Sequence, residues 1–281
     1  MALQQIETII GMKAACRAVS RAGKRLGLVP TMGALHEGHL SLVRESKAQC
    51  DVTAASIFVN PLQFGPTEDF AKYPRTLERD AAMLQELGVD LLFVPAVAEM
   101  YPQGAKTSIE VADLSSRLDG ASRPGHFRGV TTVVCKLFEI VRPDRAFFGQ
   151  KDAAQAAVLR KMVRDLDMDV EIVVCPIVRE PDGLAMSSRN AYLNPEQRQQ
   201  ALVLSRSLHQ VKSTVDAGER DARKLAEIGT QTIAAEPGAR LDYFAIVDPG
   251  TLEPVNSASR GTLVAVAAWV GSTRLIDNIL L

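Results

Sequence analysis

The stretch that decides the fold is RLGLVPTMGALHEGH, residues 25–39. Its first part, residues 25–31, is an apolar run that predicts a buried β-strand. Two glycines follow, and Gly33 permits a tight turn while Gly38 lets the backbone approach a ligand closely. A helix is predicted over 39–49. The stretch therefore predicts a strand, a glycine-containing turn and a helix, and ligands bind at such turns in parallel sheets.

Working outward, short apolar runs alternate with amphipathic patterns over the first two-thirds of the chain. Strands are predicted at 25–31, 52–59, 90–94, 145–148 and 170–178. Helices are predicted at 39–49, 77–87, 129–141 and 152–166. This alternation is typical of a parallel sheet covered by helices on both faces. We therefore expect an α/β protein with a Rossmann-like, doubly wound parallel sheet.

The last third of the chain changes character. Two helices are predicted at 195–217 and 219–235, followed by β-like segments at 241–247, 262–270 and 273–280. Turns containing proline and glycine separate these segments, as in an antiparallel arrangement. We expect a second, smaller α+β domain, with the boundary between about residues 176 and 190.

Composition narrows the class of protein. Of the 281 residues, 47% are apolar and 23% charged, which excludes a disordered or fibrous chain. A net charge of -1 gives no basic excess, so no nucleic-acid partner is expected. The longest strongly apolar run, residues 263–270, is far shorter than the ~20 residues that span a bilayer. MALQQIETII lacks the basic region of a secretory signal, so we expect a cytoplasmic protein with no membrane partner.

Two histidines mark the turn after the first strand as a candidate site. His36 and His39 lie three positions apart, on one face of a helix start. The free N–H groups and the positive end of that helix favour an anion, which points to phosphate chemistry. Alternatives are a capped loop with two surface histidines, or a metal site. We predict no metal site, because H-E-G-H lacks the H-E-x-x-H spacing and the four cysteines form no C-x-x-C pair.

Two further loops carry candidate phosphate ligands. In GQKD, residues 149–152, Lys151 can act as a point charge on a triphosphate, and Asp152 suits a helix N-terminus. In MSSRN, residues 186–190, two hydroxyls beside Arg189 could clamp phosphate oxygens. Each motif is weak alone. A solvated lysine beside a helix cap and a plain surface turn are the alternatives.

Together these three elements resemble the nucleotide site of the HIGH/KMSKS nucleotidyltransferase superfamily. The chain as a whole resembles the pantoate–β-alanine ligase (pantothenate synthetase) family. Five motifs carry the resemblance in order: PTMGALHEGH (30–39), FVNPLQFGPTEDFAKYPRT (58–76), RPGHFRG (123–129), FGQKDAAQ (148–155) and GLAMSSRN (183–190). One short motif could arise by chance, but five in order make the match specific.

The resemblance implies an ATP-dependent condensation of (R)-pantoate with β-alanine, in the pathway towards coenzyme A. The pantoate carboxylate would attack the α-phosphate of Mg-ATP, releasing pyrophosphate and leaving pantoyl adenylate. The β-alanine amine would then attack the acyl carbon and expel AMP. The resemblance also implies a homodimer. Residues 1–178 would form the ATP- and pantoate-binding domain, and residues 179–281 a smaller domain that closes over the active site.

The family's functional residues carry over motif by motif, with catalytic roles for His39, His36 and Lys151. The implied nucleotide site comprises Met32, Gly33, Ala34, Leu35, His36, Glu37, Gly38, His39, Gly149, Gln150, Lys151, Asp152, Val178, Met186, Ser187, Ser188 and Arg189. The implied substrate site comprises Gln63, Gln155, Asn60, Arg123 and His126. Neutral amides can hold hydroxyls and a carboxylate by hydrogen bonds, whereas a clamped cation would lower the carboxylate's nucleophilicity.

Two positions depart from the family's commoner pattern. Gln150 stands where an acidic residue is frequent, and Ala154 stands where a second glutamine is common. We expect little effect, because Lys151, Asp152 and Gln155 are all present. Arginine in place of a lysine-rich signature argues against the tRNA synthetases of the superfamily. A nucleotidylyltransferase, a small tRNA synthetase and a catalytically silent nucleotide-binding regulator remain as rival interpretations.

Overall fold

The computed structural model describes residues 3–65 and 70–281. The chain forms two compact units, each made of three segments. The N-terminal unit comprises Met1–Ser115, Arg123–Gly149 and Val158–Cys175. The C-terminal unit comprises Ser116–Ser122, Gln150–Ala157 and Pro176–Leu281. Residues 66–69, which belong to the second of the five motifs, lie outside the described residues.

The N-terminal unit is built on a six-stranded sheet. Its strands are β1 (Gln4–Ile6), β2 (Leu26–Thr31), β3 (Val52–Ile57), β4 (Leu91–Phe93), β5 (Arg145–Gly149) and β6 (Glu171–Cys175). They lie in the order β1-β4-β3-β2-β5-β6, and every pair is parallel. The direction of strand order reverses between β2 and β5, which is where doubly wound sheets bind ligands. The predicted fold class is confirmed.

Helices connect these strands and cover the sheet. They are α1 (Ile9–Arg21), α2 (Glu37–Gln49), α3 (Leu77–Glu86), α4 (Val97–Met100), α6 (His126–Val141) and α7 (Ala153–Asp165). The short α5 (Asp119–Ser122) belongs to the C-terminal unit. β3 is buried along its whole length, as expected for a central parallel strand.

The C-terminal unit contains a three-stranded antiparallel sheet. Its strands β7 (Ala239–Val247), β8 (Leu263–Val270) and β9 (Thr273–Leu280) lie in the order β7-β8-β9. Two long helices, α8 (Pro195–Asp216) and α9 (Ala222–Ala234), pack on this sheet around one apolar core. Helix α8 begins with proline after an asparagine cap, and α9 begins after Asp221; both are favoured helix starts. The predicted smaller α+β region is confirmed.

Differences from the predicted elements are small and have local causes. The structure adds β1, α1, α4 and α5, which were not predicted from the sequence. Thr8 caps α1, and Met12 and Cys16 are its buried face. Helix α6 begins three residues earlier than predicted, at His126. β6 ends at Cys175 because Pro176 has no N–H to continue the ladder.

Some expectations remain predictions. The predicted domain boundary between residues 178 and 179 is one of them. The ligands assigned to each domain and the closing motion are the others, because the division into two units does not test them. Within the described part of the chain, no helix is long and apolar enough to cross a membrane.

Candidate active site

The turn that follows β2, residues 31–39, is the first part of the site, and we call it the histidine turn. The Thr31 hydroxyl donates to the Ser56 carbonyl at 2.8 Å and accepts the Gly33 N–H at 3.2 Å. Gly33 (φ 81°) and Ala34 (φ 50°) both lie in the left-handed region. Glycine adopts this region freely, whereas alanine adopts it at a cost. The turn therefore needs contacts that hold Ala34 in this conformation.

Asp80, in the first turn of α3, supplies such contacts. Its carboxylate is fully buried and accepts the N–H of Ala34 at 2.8 Å and that of Leu35 at 3.0 Å. The Thr76 hydroxyl donates a third hydrogen bond at 3.1 Å. Buried carboxylates require such donors, so Asp80 and the histidine turn depend on each other. Asp80 was not predicted from the sequence, because no local signal connects it to a turn 45 positions earlier.

The two histidines cap the helix that begins at Glu37. Nδ1 of His36 accepts the Gly38 N–H at 3.1 Å, and Nδ1 of His39 accepts the His36 N–H at 3.4 Å. Because each Nδ1 is an acceptor, a neutral ring carries its proton on Nε2. The ring centroids are 4.2 Å apart, so two N–H donors lie close together at a helix N-terminus, which suits an anion. The sequence predicts free N–H groups at this helix start, but the Gly38 N–H is engaged by His36.

Two other residues of the histidine turn make side-chain contacts. Glu37 pairs with Arg44 on the exposed face of α2, and that guanidinium holds the pKa of Glu37 below its usual value. Exposed pairs of this kind contribute little to stability. Met32 is more informative, because Nε2 of Gln63 lies 3.0 Å from its sulfur. Met32 therefore links the histidine turn to the predicted substrate residues.

Four predicted substrate residues form one contact network, which we call the amide cluster: Asn60, Gln63, Arg123 and His126. The Asn60 amide donates to Oε1 of Gln63 at 3.1 Å. Nδ1 of His126 (2.8 Å) and Nη2 of Arg123 (3.3 Å) both donate to the Gln63 carbonyl. Nη1 of Arg123 donates to Nε2 of His126 at 3.1 Å, which leaves the ring proton on Nδ1. Arg123 and His126 thus hold the backbone at Gln63.

Asn60 is the buried anchor of the amide cluster. Its Oδ1 accepts the Tyr101 hydroxyl at 2.8 Å, and its Nδ2 donates to the Gly129 carbonyl at 3.0 Å. A side chain at Gly129 would put a carbon 2.2 Å from the Leu62 carbonyl oxygen, so glycine lets α6 approach this closely. Burial raises the pKa of Tyr101, which keeps its hydroxyl protonated as a donor. Tyr101 was not predicted from the sequence, because it lies in no recognised motif.

The second predicted phosphate loop is a short 3-10 helix at Gln150–Asp152, which we call the lysine loop. Nζ of Lys151 lies 3.4 Å from Oδ1 of Asp152. Asn278 on β9 donates to the carbonyls of Gln150 and Lys151, both at 2.9 Å. The Gln150 amide in turn donates to Oδ1 of Asn278 at 3.0 Å. Gln150, which departs from the family's commoner pattern, therefore has a hydrogen-bond partner in Asn278.

The third loop, residues 186–189, is the arginine loop. The Met186 N–H donates to the Val178 carbonyl at 3.0 Å, which brings together two predicted nucleotide-site residues. The Ser187 hydroxyl accepts the Arg189 N–H at 3.2 Å and caps a short 3-10 helix, Ser188–Tyr192. The loop is thus a well-defined turn at the end of a β-bridged hairpin.

An ion-pair network holds the segments on either side of the arginine loop. Arg198 on α8 contacts Glu180 at 2.8 Å and Asp182 at 2.6 Å. Asn190, the residue after the loop, donates to Glu180 at 2.9 Å and to the Ala185 carbonyl at 3.1 Å. Hydrogen bonding to Arg198 holds the pKa of Glu180 below its usual value. These contacts tie the loop to a long helix of the same unit.

The structure thus places the predicted residues in two sets. The N-terminal unit holds the histidine turn with its Met32–His39 residues, the amide cluster, and Gly149 at the end of β5. The C-terminal unit holds the lysine loop, Gln155 on α7, Val178 and the arginine loop. Residues 3–65 and 70–281 contain no group of three or more histidine, cysteine or acidic side chains that could hold a metal ion.

The parallel sheet, with a histidine-capped helix after β2, defines an α/β protein with a candidate phosphate site, and known proteins share this fold. The sequence profile of the pantoate–beta-alanine ligase family matches residues 4–280. A pantothenate synthetase of Koribacter versatilis is 61% identical over 279 residues, covering 99% of this chain and 96% of the relative. A crystal structure of the Thermus thermophilus pantothenate synthetase is 48% identical, with a TM-score of 0.93 and 99% of each chain covered.

A more distant structure carries ligands. The pantoate-beta-alanine ligase of Francisella tularensis, complexed with beta-gamma ATP and beta-alanine, is 34% identical with a TM-score of 0.81. That match covers 99% of this chain and 98% of the other. The chain belongs to the pantoate–beta-alanine ligase family, and it is an enzyme of pantothenate biosynthesis.

Proposed function

We propose that the chain joins (R)-pantoate to β-alanine in two steps, through pantoyl adenylate, with release of pyrophosphate and then AMP. The observation that carries the proposal is the reciprocally capped pair of His36 and His39 at the carboxyl end of β2. In a member of this family, two N–H donors at a helix N-terminus are suited to the phosphate that undergoes substitution. The rival superfamily activities lack support from the family match.

In the first step a pantoate carboxylate oxygen bonds to the α-phosphorus of ATP, and the bond to the bridging oxygen of pyrophosphate breaks. Negative charge builds on the α-phosphate oxygens, and donors aimed there lower the barrier. We assign this role to Nε2–H of His39 and His36. Lys151 and Arg189 would neutralise the phosphates as cations.

The amide cluster would hold the organic substrates. The Gln63 side chain, with Gln155, would bind the hydroxyls and carboxylate of pantoate, and Asn60 would lie near β-alanine. Arg123 and His126 both donate to the Gln63 carbonyl, which supports a role in orienting Gln63. In the second step the β-alanine amine attacks the acyl carbon, loses a proton, and AMP leaves.

Mg²⁺ would arrive with ATP as part of the substrate. This ion usually binds through phosphate oxygens, waters and one or two carboxylates. Asp152 beside Lys151 is a carboxylate that fits that role. Backbone groups of the histidine turn, with Gly149 and Val178, would complete the nucleotide site.

Three expectations from the resemblance complete the proposal. The C-terminal unit would close on ATP and bring the arginine loop to the phosphates, which would protect the adenylate from water. The protein would be a cytoplasmic homodimer. Sedimentation equilibrium at micromolar concentration tests the dimer, and a single species of about 30 kDa would contradict it.

The test of the two-step reaction is exchange of labelled pyrophosphate into ATP. Exchange should require pantoate and Mg²⁺ and should proceed without β-alanine, because the adenylate forms before the amine reacts. Exchange that appears only after β-alanine is added would contradict the adenylate intermediate. AMP formation should require both pantoate and β-alanine, which separates this activity from nucleotidyl transfer to a phosphate.

A further inference from the structure

We propose that Asp277 and Asn278, consecutive residues of β9, are positioning residues that hold the lysine loop and the arginine loop in place for ATP. We call this pair the β9 bracket. The inference rests on the proposed roles of Lys151 and Arg189 at the phosphates. It adds two residues near the end of the chain that no motif includes.

Asn278 is the half of the bracket that holds the lysine loop. It is 2% exposed, and its Nδ2 donates to the carbonyls of Gln150 and Lys151. Its Oδ1 accepts the Gln150 amide at 3.0 Å. Backbone carbonyls only accept hydrogen bonds, so the two carbonyls fix which side of the carboxamide carries nitrogen. The loop backbone that bears Lys151 is therefore held by one buried side chain, which makes three hydrogen bonds with Gln150 and Lys151.

Asp277 is the half that holds the hairpin before the arginine loop. It is 2% exposed and accepts two hydrogen bonds from Arg179, at 2.6 and 2.9 Å. Arg179 also donates to the Gly183 carbonyl at 3.0 Å and bridges to Ala185 across the hairpin. A two-point guanidinium–carboxylate contact fixes orientation as well as distance. The hairpin enters the arginine loop directly at Met186.

Strand geometry explains how neighbouring residues serve different loops. Successive side chains of a strand point to opposite faces, so Asp277 and Asn278 leave β9 in opposite directions. β9 lies at the edge of the sheet, and both side chains contact residues outside the three strands. The Asn278 N–H also donates to Asp277 at 2.8 Å, which couples the two halves. One strand thereby sets the spacing of both loops.

The burial of these groups favours a positioning role. Polar side chains buried in a sheet are stable only when their hydrogen bonds are made, and apolar residues would pack there without that requirement. The neighbouring Leu275 of β9 shows the ordinary alternative, because it packs into the apolar core of the unit. A polar pair at 277–278 therefore specifies the geometry of the loops that it contacts.

The test compares Asn278→Ala with Leu275→Ala, a matched control on the same strand whose side chain packs in the apolar core. We expect Asn278→Ala to raise KM for ATP about tenfold, with KM for pantoate unchanged within about twofold. Leu275→Ala should lower Tm at least as much with both KM values near wild type. An ATP KM equal to that of wild type, or equal losses for both variants, would overturn the proposal.

A double-mutant cycle asks whether Asn278 acts through Lys151. Asn278→Ala should add less than about twofold to the loss in adenylation caused by Lys151→Ala. Independent effects that multiply would overturn the role of Asn278.

A second variant is needed if Asn278→Ala does not fold. Asp277→Asn keeps the side-chain shape and should by itself raise KM for ATP several-fold. An unchanged KM would overturn the proposed role of the β9 bracket. Pantoate-dependent pyrophosphate exchange by the unmodified protein tests the proposed function separately, so failure of one is distinguishable from failure of the other.

Discussion

The histidine turn and the lysine loop are proposed to serve the same triphosphate, but different kinds of contacts hold them. In the histidine turn, His36 accepts the Gly38 N–H and His39 accepts the His36 N–H, two and three positions away. A distant anchor, Asp80, lies on a helix of the same unit, and Met32 also contacts Gln63. The lysine loop is held by Asn278, 127 positions from the nearer carbonyl that it contacts.

This difference teaches which parts of the site are local and which depend on the complete fold. The caps of the histidine turn can form as soon as its helix forms, because the partners are adjacent in sequence. The lysine loop needs β9 for its contacts with Asn278, and β9 is paired with β8. Substitutions in the histidine turn should therefore affect the adenylation rate more than the stability of the fold. Substitutions in β9 should displace the lysine loop although the two segments are far apart in sequence.

The sharpest way to test the local side of the comparison is His39→Ala. It should cut adenylate formation about 10²–10³-fold, or about 3–4 kcal/mol of barrier, as for a lost charge-stabilising donor. Stability should change by only about 0.5–1 kcal/mol, because the lost cap is long and partly exposed. Single-turnover adenylation and a thermal melt on one preparation check both.

Two controls accompany this variant. His209→Ala removes a histidine of α8 that bonds within its own helix and should leave adenylation unchanged. With pre-formed pantoyl adenylate, His39→Ala should make pantothenate at nearly the wild-type rate, since amine attack builds charge elsewhere. An unchanged adenylation rate would remove His39 from the mechanism.

Asp80→Asn should break contacts that hold the histidine turn from α3. An amide offers one acceptor oxygen, so an N–H of Ala34 or Leu35 loses its partner, which costs about 1–3 kcal/mol. Displacement of the turn should slow adenylation about 30- to 100-fold. The measurement pairs a denaturant melt with single-turnover adenylation.

The matched control is Asp90→Asn, which removes a carboxylate that accepts the Thr53 N–H at the amino end of the neighbouring strands. It should lose stability while keeping the adenylation rate. If both variants lose activity in proportion to stability, Asp80 has no specific role in the turn.

Arg189→Ala addresses the loops of the C-terminal unit. Loss of one cation at the phosphates should slow adenylation about tenfold, while pantoate affinity should stay within about twofold. Single-turnover kinetics and calorimetry give the two quantities. Equal losses in both would contradict the loop's role, and Arg206→Ala, in a pair with Glu236 at the surface, is the control for charge alone.

The smallest expected effect concerns the support of the arginine loop and its dependence on pH. The guanidinium of Arg198 lowers the pKa of Glu180 on folding, so the pair stabilises the fold above the usual carboxyl pKa. That contribution is lost as pH falls through the lowered pKa. Glu180→Gln should therefore cost about 0.5–1 kcal/mol at pH 7, discounted for solvent screening, and almost nothing at a pH low enough to protonate Glu180 in the folded protein. A difference that is constant over this range would exclude the ion pair as its source.

The sequence predicted the elements whose signals are local. Residues 25–39 predict a strand, a turn and a helix, because apolar runs and glycines influence the backbone conformation within a few residues. The helices and strands of the C-terminal unit follow from the same kind of pattern. β1 is harder to predict, since a three-residue strand carries almost no periodicity and exists through pairing with β4.

The site residues also divide into those with a local sequence signal and those whose contacts are distant in sequence. By itself the sequence determined the fold class, the candidate motifs and, through their resemblance to a family, the chemistry expected of them. Only the tertiary structure decided that Asp80 holds the histidine turn, that Tyr101 anchors Asn60, and that Asn278 holds the lysine loop. An aspartate in a helix and an asparagine in a strand look ordinary in sequence, because their partners are backbone groups far away along the chain. Backbone N–H and C=O groups are the same at every residue, so only folding shows which of them a side chain meets.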